Sequence, residues 1–285
     1  MPNKPSTIRG LMGAAERELT AGPHAERARM DAELLLLHLL GKDRAWMMAH
    51  LQDEISGDLI RPYGELLVQR FNGEPIQYII GEAEFYGLPF HVTPNVLIPR
   101  PETEHLVEKV LALVANFHTQ RIVDIGTGSG AIAVALAHTL PYAQVTAIDL
   151  SALALAVAHG NAKRNGVAIQ FLQGDLLTPV AHEQFDIVVS NPPYVPTADR
   201  DTLSVEVRDH EPSLALFAGP DGLDIYRRLI PQAFACLTSG GFLALEIGYG
   251  QSSAIEALLT HSGFQNIEFL PDLQSIPRVA IAQRP

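Results

Sequence analysis

Two loops in this chain combine residue types and spacings that can hold a small molecule and act on it. The first, "VVSNPPYV", residues 188–195, runs an apolar strand pattern straight into Asn191, Pro192, Pro193 and Tyr194. Proline lacks an amide hydrogen and fixes its own φ, so two in succession end a strand. A strand stop gives no role to the Asn191 carboxamide or the Tyr194 ring. The second loop lies in "RIVDIGTGSGAIAVALA", which reads as a short strand, a glycine-rich turn and a helix starting near Ser129. Gly126, Gly128 and Ala131 meet the G-x-G-x-x-G/A spacing, with Thr127, Ser129 and Gly130 completing the turn. Small residues let the backbone approach a ligand, and a helix N-terminus offers free amide donors. Asp149, 23 residues after Gly126, stands where a ribose-binding carboxylate is expected. Asp175 in "FLQGDLL" is a third acid at a strand end, and Leu176 beside it suits the face of an adenine. Strand, turn, helix and acid together point to a nucleotide-like ligand, which a tight turn alone would not require.

Such loops need a scaffold. From Pro101 the pattern alternates strand and helix, with strands expected near 121–125, 144–148, 168–172, 185–190, 241–247, 265–270 and 278–283. That alternation implies a doubly wound, largely parallel α/β sheet. Only seven residues, "PDLQSIP", separate the last two strands, whereas a parallel crossover needs a dozen or more, so the final strand should run antiparallel. Ligands in such sheets bind beyond the carboxyl ends of the strands, where strand order reverses. The first and fourth strands then lie side by side, and the glycine loop and Asn-Pro-Pro-Tyr face one crevice. Upstream, apolar residues recur at helical spacing from Thr7 to about Asn72, and "FYGLPFHVTPNVLIP", residues 85–99, suggests a short linking hairpin. The expected division is a helical substrate-recognition domain over 1–80, a hairpin linker over 81–100 and a catalytic domain over 101–285.

The segments "VDIGTGSGAIA", "AIDLS", "GDLL" and "SNPPYV" together resemble class I methyltransferases, which use S-adenosylmethionine and release S-adenosylhomocysteine. "GEPIQYIIGEAEFYGLPFHV", "VLIPRPETEHLVE", "EPSLALFAGPDGLDIYRRLI" and "LEIGYGQ" further resemble the bacterial peptide chain release factor glutamine methyltransferases, over nearly all of the chain from Gly73. The N-terminal helices are similar to that family in layout more than in motif. The resemblance implies a seven-stranded doubly wound sheet with a reversed last strand, preceded by a small all-α bundle and a β-hairpin linker. It also implies transfer of a methyl group to the side-chain nitrogen of the glutamine in a Gly-Gly-Gln motif of a release factor. In that reading the catalytic residues are Asn191, Pro192 and Tyr194, and Pro193 joins them in holding substrate. The Asn191 oxygen and the Pro192 carbonyl each accept an N–H of the substrate amide, while Tyr194 packs on its flat face. The cofactor residues are Gly126, Thr127, Gly128, Ser129, Gly130, Asp149, Asp175, Leu176 and Asn191, with Arg100 and Thr103 of "PRPET". Glu246, ending "LALEIG", reads as an ordinary strand-end carboxylate ahead of the alternative, a role in the site.

Composition narrows the partners. With 32 acidic and 20 basic residues the formal charge is -12, which opposes association with phosphate backbones, so no stable binding to naked nucleic acid is expected. A local basic patch from Arg61, Arg70 and Arg100 is the exception that totals do not address. Cys236 is the only cysteine and reads as core, so no intrachain disulfide forms and a reducing compartment, the cytoplasm, is expected. No apolar run approaches the roughly 18 residues of a membrane span. None of the 11 histidines falls in H-E-x-x-H, no metal site is expected, and the glycine loop does not centre a serine as G-x-S-x-G requires. The alternatives are a glutamine methyltransferase acting on a ribosomal protein and an amino-methyltransferase acting on a nucleic-acid base. An NAD(P)-dependent oxidoreductase and a catalytically silent adenosine binder are the remaining readings.

Overall fold

The computed structural model describes residues 7–114, 120–272 and 274–285. The chain begins with five helices, α1 (Ile8–Leu19), α2 (Ala28–Leu40), α3 (Arg44–Ala49), α4 (Gly57–Phe71) and α5 (Ile76–Ile80). Strands β1 (Glu82–Phe85) and β2 (Leu88–His91) follow, then α6 (Glu102–Val114), β3 (Arg121–Ile125), α7 (Ala131–Thr139), β4 (Gln144–Asp149), α8 (Ala152–Arg164) and β5 (Gln170–Gln173). The remainder is β6 (Phe185–Ser190), α9 (Val205–His210), α10 (Asp224–Cys236), β7 (Leu237–Glu246), α11 (Ser252–His261), β8 (Gln265–Pro271) and β9 (Pro277–Gln283). These elements form two compact units, one of residues up to Gly81 with Leu203–His210, the other of Glu82–Thr202 and Glu211–Pro285.

In the first unit the helices start where polar caps allow. The Thr7 hydroxyl accepts the Gly10 amide at 3.1 Å, and the Asp43 carboxylate accepts the Trp46 amide at 2.7 Å. α2 stops at Gly41, whose φ of 61° is the left-handed cap that glycine adopts without a Cβ penalty. Leu35, Leu36, Met47, Tyr63 and Leu67 fill the centre. Met47 is buried and Met48 half exposed, so only the first of the pair is core. A buried charge cluster sits among them. The Arg70 guanidinium, 2 % exposed, donates to Asp31 at 2.5 Å, to the Glu74 carbonyl at 2.9 Å and to Glu206 on α9.

The second unit is a seven-stranded sheet in the order β5-β4-β3-β6-β7-β9-β8, with α-helices in the connections between β3 and β4, β4 and β5, β6 and β7, and β7 and β8. β5 to β7 pair in parallel, and β9 inserts antiparallel between β7 and β8, the reversal that the short last connection requires. Each residue of β6 is buried, as in a strand covered on both faces, with Ile187, Val188 and Val189 its apolar centre. Cys236 lies in the core beside the sheet. The hairpin lies earlier than expected, at 82–91 rather than 85–99. Tyr86 and Gly87 both have positive φ, 55° and 70°, which makes a two-residue turn and sets the strands on either side of it. Residues 92–99 therefore leave the hairpin without forming a strand.

Candidate active site at the carboxyl ends of β3, β4 and β6

β3 and β6 are neighbours, with Ile125 opposite Ser190, and the Ser190 hydroxyl donates to the Ile125 carbonyl at 2.7 Å. The glycine loop and Asn191 therefore leave the sheet side by side. Gly126, Gly128 and Gly130 all take left-handed backbone, with φ of 70°, 55° and 82°. A Cβ on Gly126 would enter open space, while one on Gly130 would press on Ala158 of α8 at 3.1 Å. The left-handed Gly130 caps α7, so the helix starts at Ala131 rather than near Ser129. Below the loop, the Thr127 hydroxyl donates to Asp124 at 2.6 Å. Desolvation pushes the Asp124 carboxyl up to about 7. Asp149 accepts the Gly128 amide at 2.8 Å through one oxygen and the Ser151 amide at 2.9 Å through the other. Burial raises its affinity for a proton, and these amide bonds oppose that rise.

A cavity of about 270 Å³ opens above these strand ends. Gly126, Gly128, Asp149, Asp175, Leu176, Asn191, Pro192 and Pro193 line it, as do Leu150, Ser151 and Ala154. Leu176 has a φ of 52°, and Asp175 pairs with Arg228 of α10. Two further segments close the cavity, Pro94–Leu97 after the hairpin and Pro212, Leu214 and Ala215 after α9. Both overlap stretches that carry the family resemblance, yet neither was assigned to the site, because apolar loop residues carry no chemical signature. Asn161 of α8 helps to place the first of them. Its buried carboxamide accepts the His91 amide at 2.7 Å and donates to the His91 and Ser129 carbonyls, each at 2.9 Å.

Thr127, Ser129, Gly130, Arg100, Thr103 and Tyr194 do not line this cavity. Arg100 donates to Glu211 at 2.6 Å, beside the segment that carries Pro212 and Leu214. Thr103 is buried and donates to Glu246 at 2.6 Å while accepting from the Asn191 amide at 3.1 Å. The Tyr194 hydroxyl donates to the other Glu246 oxygen at 3.4 Å, and its carbonyl accepts from Gln251 at 3.0 Å. Burial first, then the charge of Glu246, raise the Tyr194 hydroxyl above its ordinary value. Glu246 is 3 % exposed, and burial raises its carboxyl too. It is thus no ordinary strand-end acid. Its partner Thr103 lies 143 residues away, a separation that no local pattern reveals.

Comparison with known proteins decides the family. Residues 102–207 match the Methyltransferase small domain and residues 12–81 the PrmC N-terminal domain. A release factor glutamine methyltransferase of Koribacter versatilis is 43% identical over 98% of this chain and 99% of its own. One of Moorella thermoacetica is 44% identical over the same shares, 98% and 99%. The chain belongs to the release factor glutamine methyltransferase family. Solved structures agree on the fold. A T. thermophilus 16S rRNA methyltransferase in complex with AdoMet and guanosine is 20% identical, with a TM-score of 0.54 over 72% of this chain and 50% of that one. The N-terminal domain of human METTL16 in complex with SAH is 17% identical, with a TM-score of 0.52 over 70% and 76%. Within the release factor glutamine methyltransferase family, this chain brings the glycine loop and Asn-Pro-Pro to one cavity.

Proposed function

We propose that this protein transfers a methyl group from S-adenosylmethionine to the side-chain nitrogen of the glutamine in the Gly-Gly-Gln motif of peptide chain release factors. The observation that carries this reading is family membership along nearly the whole chain. The cavity suits the donor. A Gly126 Cβ would fill open space there, and Asp149 and Asp175 offer acceptors for a ribose and an adenine amine, with Leu176 and Leu150 as apolar surface. Bound there, S-adenosylmethionine supplies an electrophilic methyl on a sulfonium centre.

The protein's own residues act mainly by placing the acceptor. A primary amide nitrogen is a weak nucleophile because its lone pair is delocalised into the carbonyl. Asn191 accepts one substrate N–H through its oxygen, and the Pro192 carbonyl accepts the other, turning the lone pair outward. Holding reactants at near-attack distance is worth roughly 7–11 kcal/mol of a barrier. The rigid ring of Pro193 fixes the Pro192 carbonyl, and Tyr194 anchors the loop end to Glu246 and Gln251. Arg100 holds Glu211 and so the segment that roofs the cavity, and Thr127 and Ser129 support the glycine loop from beneath. Release factors work on ribosomes, which supports a cytoplasmic location.

Mass spectrometry of unmethylated release factor, incubated with protein and S-adenosylmethionine, tests the proposal. One added methyl on the Gly-Gly-Gln glutamine is expected, and none where that glutamine is alanine. Asn191→Ala should keep S-adenosylhomocysteine affinity and lose roughly 100-fold or more in turnover. A wild-type protein that binds S-adenosylhomocysteine yet leaves the glutamine unmodified would shift the target to a ribosomal-protein glutamine, then to a nucleic-acid base.

A further inference from the structure

We propose that Glu246 is a positioning residue which, through Thr103, decides which end of the Asn191 carboxamide faces the cavity. This inference rests on the amide-gripping role given to Asn191 above. The chain of hydrogen bonds runs Asn191 Nδ2 to Thr103 Oγ1 at 3.1 Å, then Thr103 Oγ1 to Glu246 Oε2 at 2.6 Å. It joins the loop after β6 to the first turn of α6 and the carboxyl end of β7, all within one compact unit.

The direction follows from counting hydrogens. A threonine hydroxyl has one hydrogen and two lone pairs, and a carboxyl oxygen that carries no proton only accepts. A separation of 2.6 Å falls among hydroxyl-to-carboxylate bonds, about 2.5–2.7 Å. With its hydrogen given to Glu246, Thr103 shows only lone pairs to Asn191. Only the NH2 end of the carboxamide can pair with them, so Oδ1 is left for the cavity that Asn191 lines. The reversed orientation would set two acceptors against each other at Thr103 and present a donor to a substrate amide that itself donates.

The rest of the Glu246 environment fits an acceptor held in place. Its other oxygen accepts from Tyr194 at 3.4 Å, and its backbone carbonyl accepts the Tyr226 hydroxyl at 2.7 Å. Arg278 of β9 contributes positive charge, Glu102 of α6 negative charge, and the side chain is shut away from water. A buried carboxylate costs several kcal/mol to desolvate unless its partners satisfy it. Retaining one at this strand end, one hydroxyl away from Asn191, gives the cost a purpose.

Three variants test the relay, each first shown by thermal melting to be folded. Thr103→Val removes the hydroxyl at nearly constant shape, and kcat should fall roughly 10–100-fold, the scale for a lost or displaced orienting group. KM for the release factor and S-adenosylhomocysteine affinity by calorimetry should stay within about threefold of wild type on the reasoning that separates uniform binding from turnover. Thr103→Ser restores the hydroxyl and should recover most of the loss. Glu246→Gln can donate to or accept from Thr103, so it should give an intermediate kcat. Wild-type kcat in Thr103→Val and Glu246→Gln overturns the relay. So does S-adenosylhomocysteine affinity that falls in step with kcat, because Thr103 would then be a cofactor contact. A readout independent of turnover is the Asn191 side-chain amide signal in nitrogen-15 NMR, assigned by its absence from Asn191→Ala. It should be protected from hydrogen exchange in wild type and Thr103→Ser and unprotected in Thr103→Val, and equal protection in all three overturns the inference. Should wild type transfer nothing to a release factor, the proposed function fails while the NMR comparison still decides the relay.

Discussion

Asp124 lies fully buried under the glycine loop, takes the Thr127 hydroxyl at 2.6 Å, and leaves its Oδ1 without a hydrogen bond. Desolvation dominates its environment and nearby Asp149 adds a repulsive charge, while the Thr127 bond and the neighbouring Ala133 amide only partly offset them. Its carboxyl is thereby pushed from 3.8 to about 7 on folding. Between those values the folded protein holds a proton that the unfolded chain has released. The contribution of this group is therefore complete below its unfolded value and is lost as pH rises through about 7. The slope reaches about 1.4 kcal/mol per pH unit for one proton. Urea melts of wild type and Asp124→Asn between pH 4.5 and 7.5 should diverge, with wild type losing ground as pH rises, and parallel curves would contradict the assignment. At this scale the sequence exposes Gly126, Gly128, Asp149 and Asn191, because their roles are encoded in local spacing. It hides Glu246, whose meaning depends on Thr103, and it hides Asn161, whose partners His91 and Ser129 lie 70 and 32 residues away.

Among the elements, the reversed β9 was legible because seven linking residues forbid a parallel crossover, a constraint of chain length that needs no side-chain detail. α9 was not legible. Its six residues, "VEVRDH", are too short for periodicity to speak, and it joins the N-terminal helices because Glu206 meets the buried Arg70. Asp31 is also held by that guanidinium, and both Asp31 and Arg70 are shut away from water. Taking Arg70 away leaves the buried Asp31 charge with only the longer ion pair to Arg27 at 3.7 Å, and breaking a buried pair typically costs about 3–5 kcal/mol. Arg70→Met should therefore destabilise the N-terminal helices by that order in urea unfolding and speed hydrogen exchange across residues 205–210. Arg70→Lys should recover only part, since an ammonium lacks the planar fork that reaches Asp31 and Glu206 together. Unchanged exchange in 205–210 in Arg70→Met would show that Glu206 is not what holds α9.

For the whole molecule, the charge of -12 fixes how the protein meets polyanions, provided no local patch defeats the total. Arg61, Arg70 and Arg100 were the residues able to form such a patch, and each carries its own carboxylate. Arg61 pairs with Glu65 at 2.9 Å, Arg70 with Asp31 at 2.5 Å, and Arg100 with Glu211 at 2.6 Å. A paired guanidinium contributes little net field at a distance, so these three cannot neutralise a run of phosphates. Proteins that make 6–10 phosphate contacts lose about 10³–10⁵ in affinity between roughly 50 and 200 mM salt. Fluorescence anisotropy with labelled single-stranded RNA should therefore give no saturable binding at the lower salt, and methyl transfer to a release factor should change only modestly across the same range. Saturable RNA binding that collapses with added salt would reveal a basic track built from other residues. It would move the acceptor held by Asn191 from a glutamine amide to the amine of a base, which presents the same planar nitrogen to the same two acceptors.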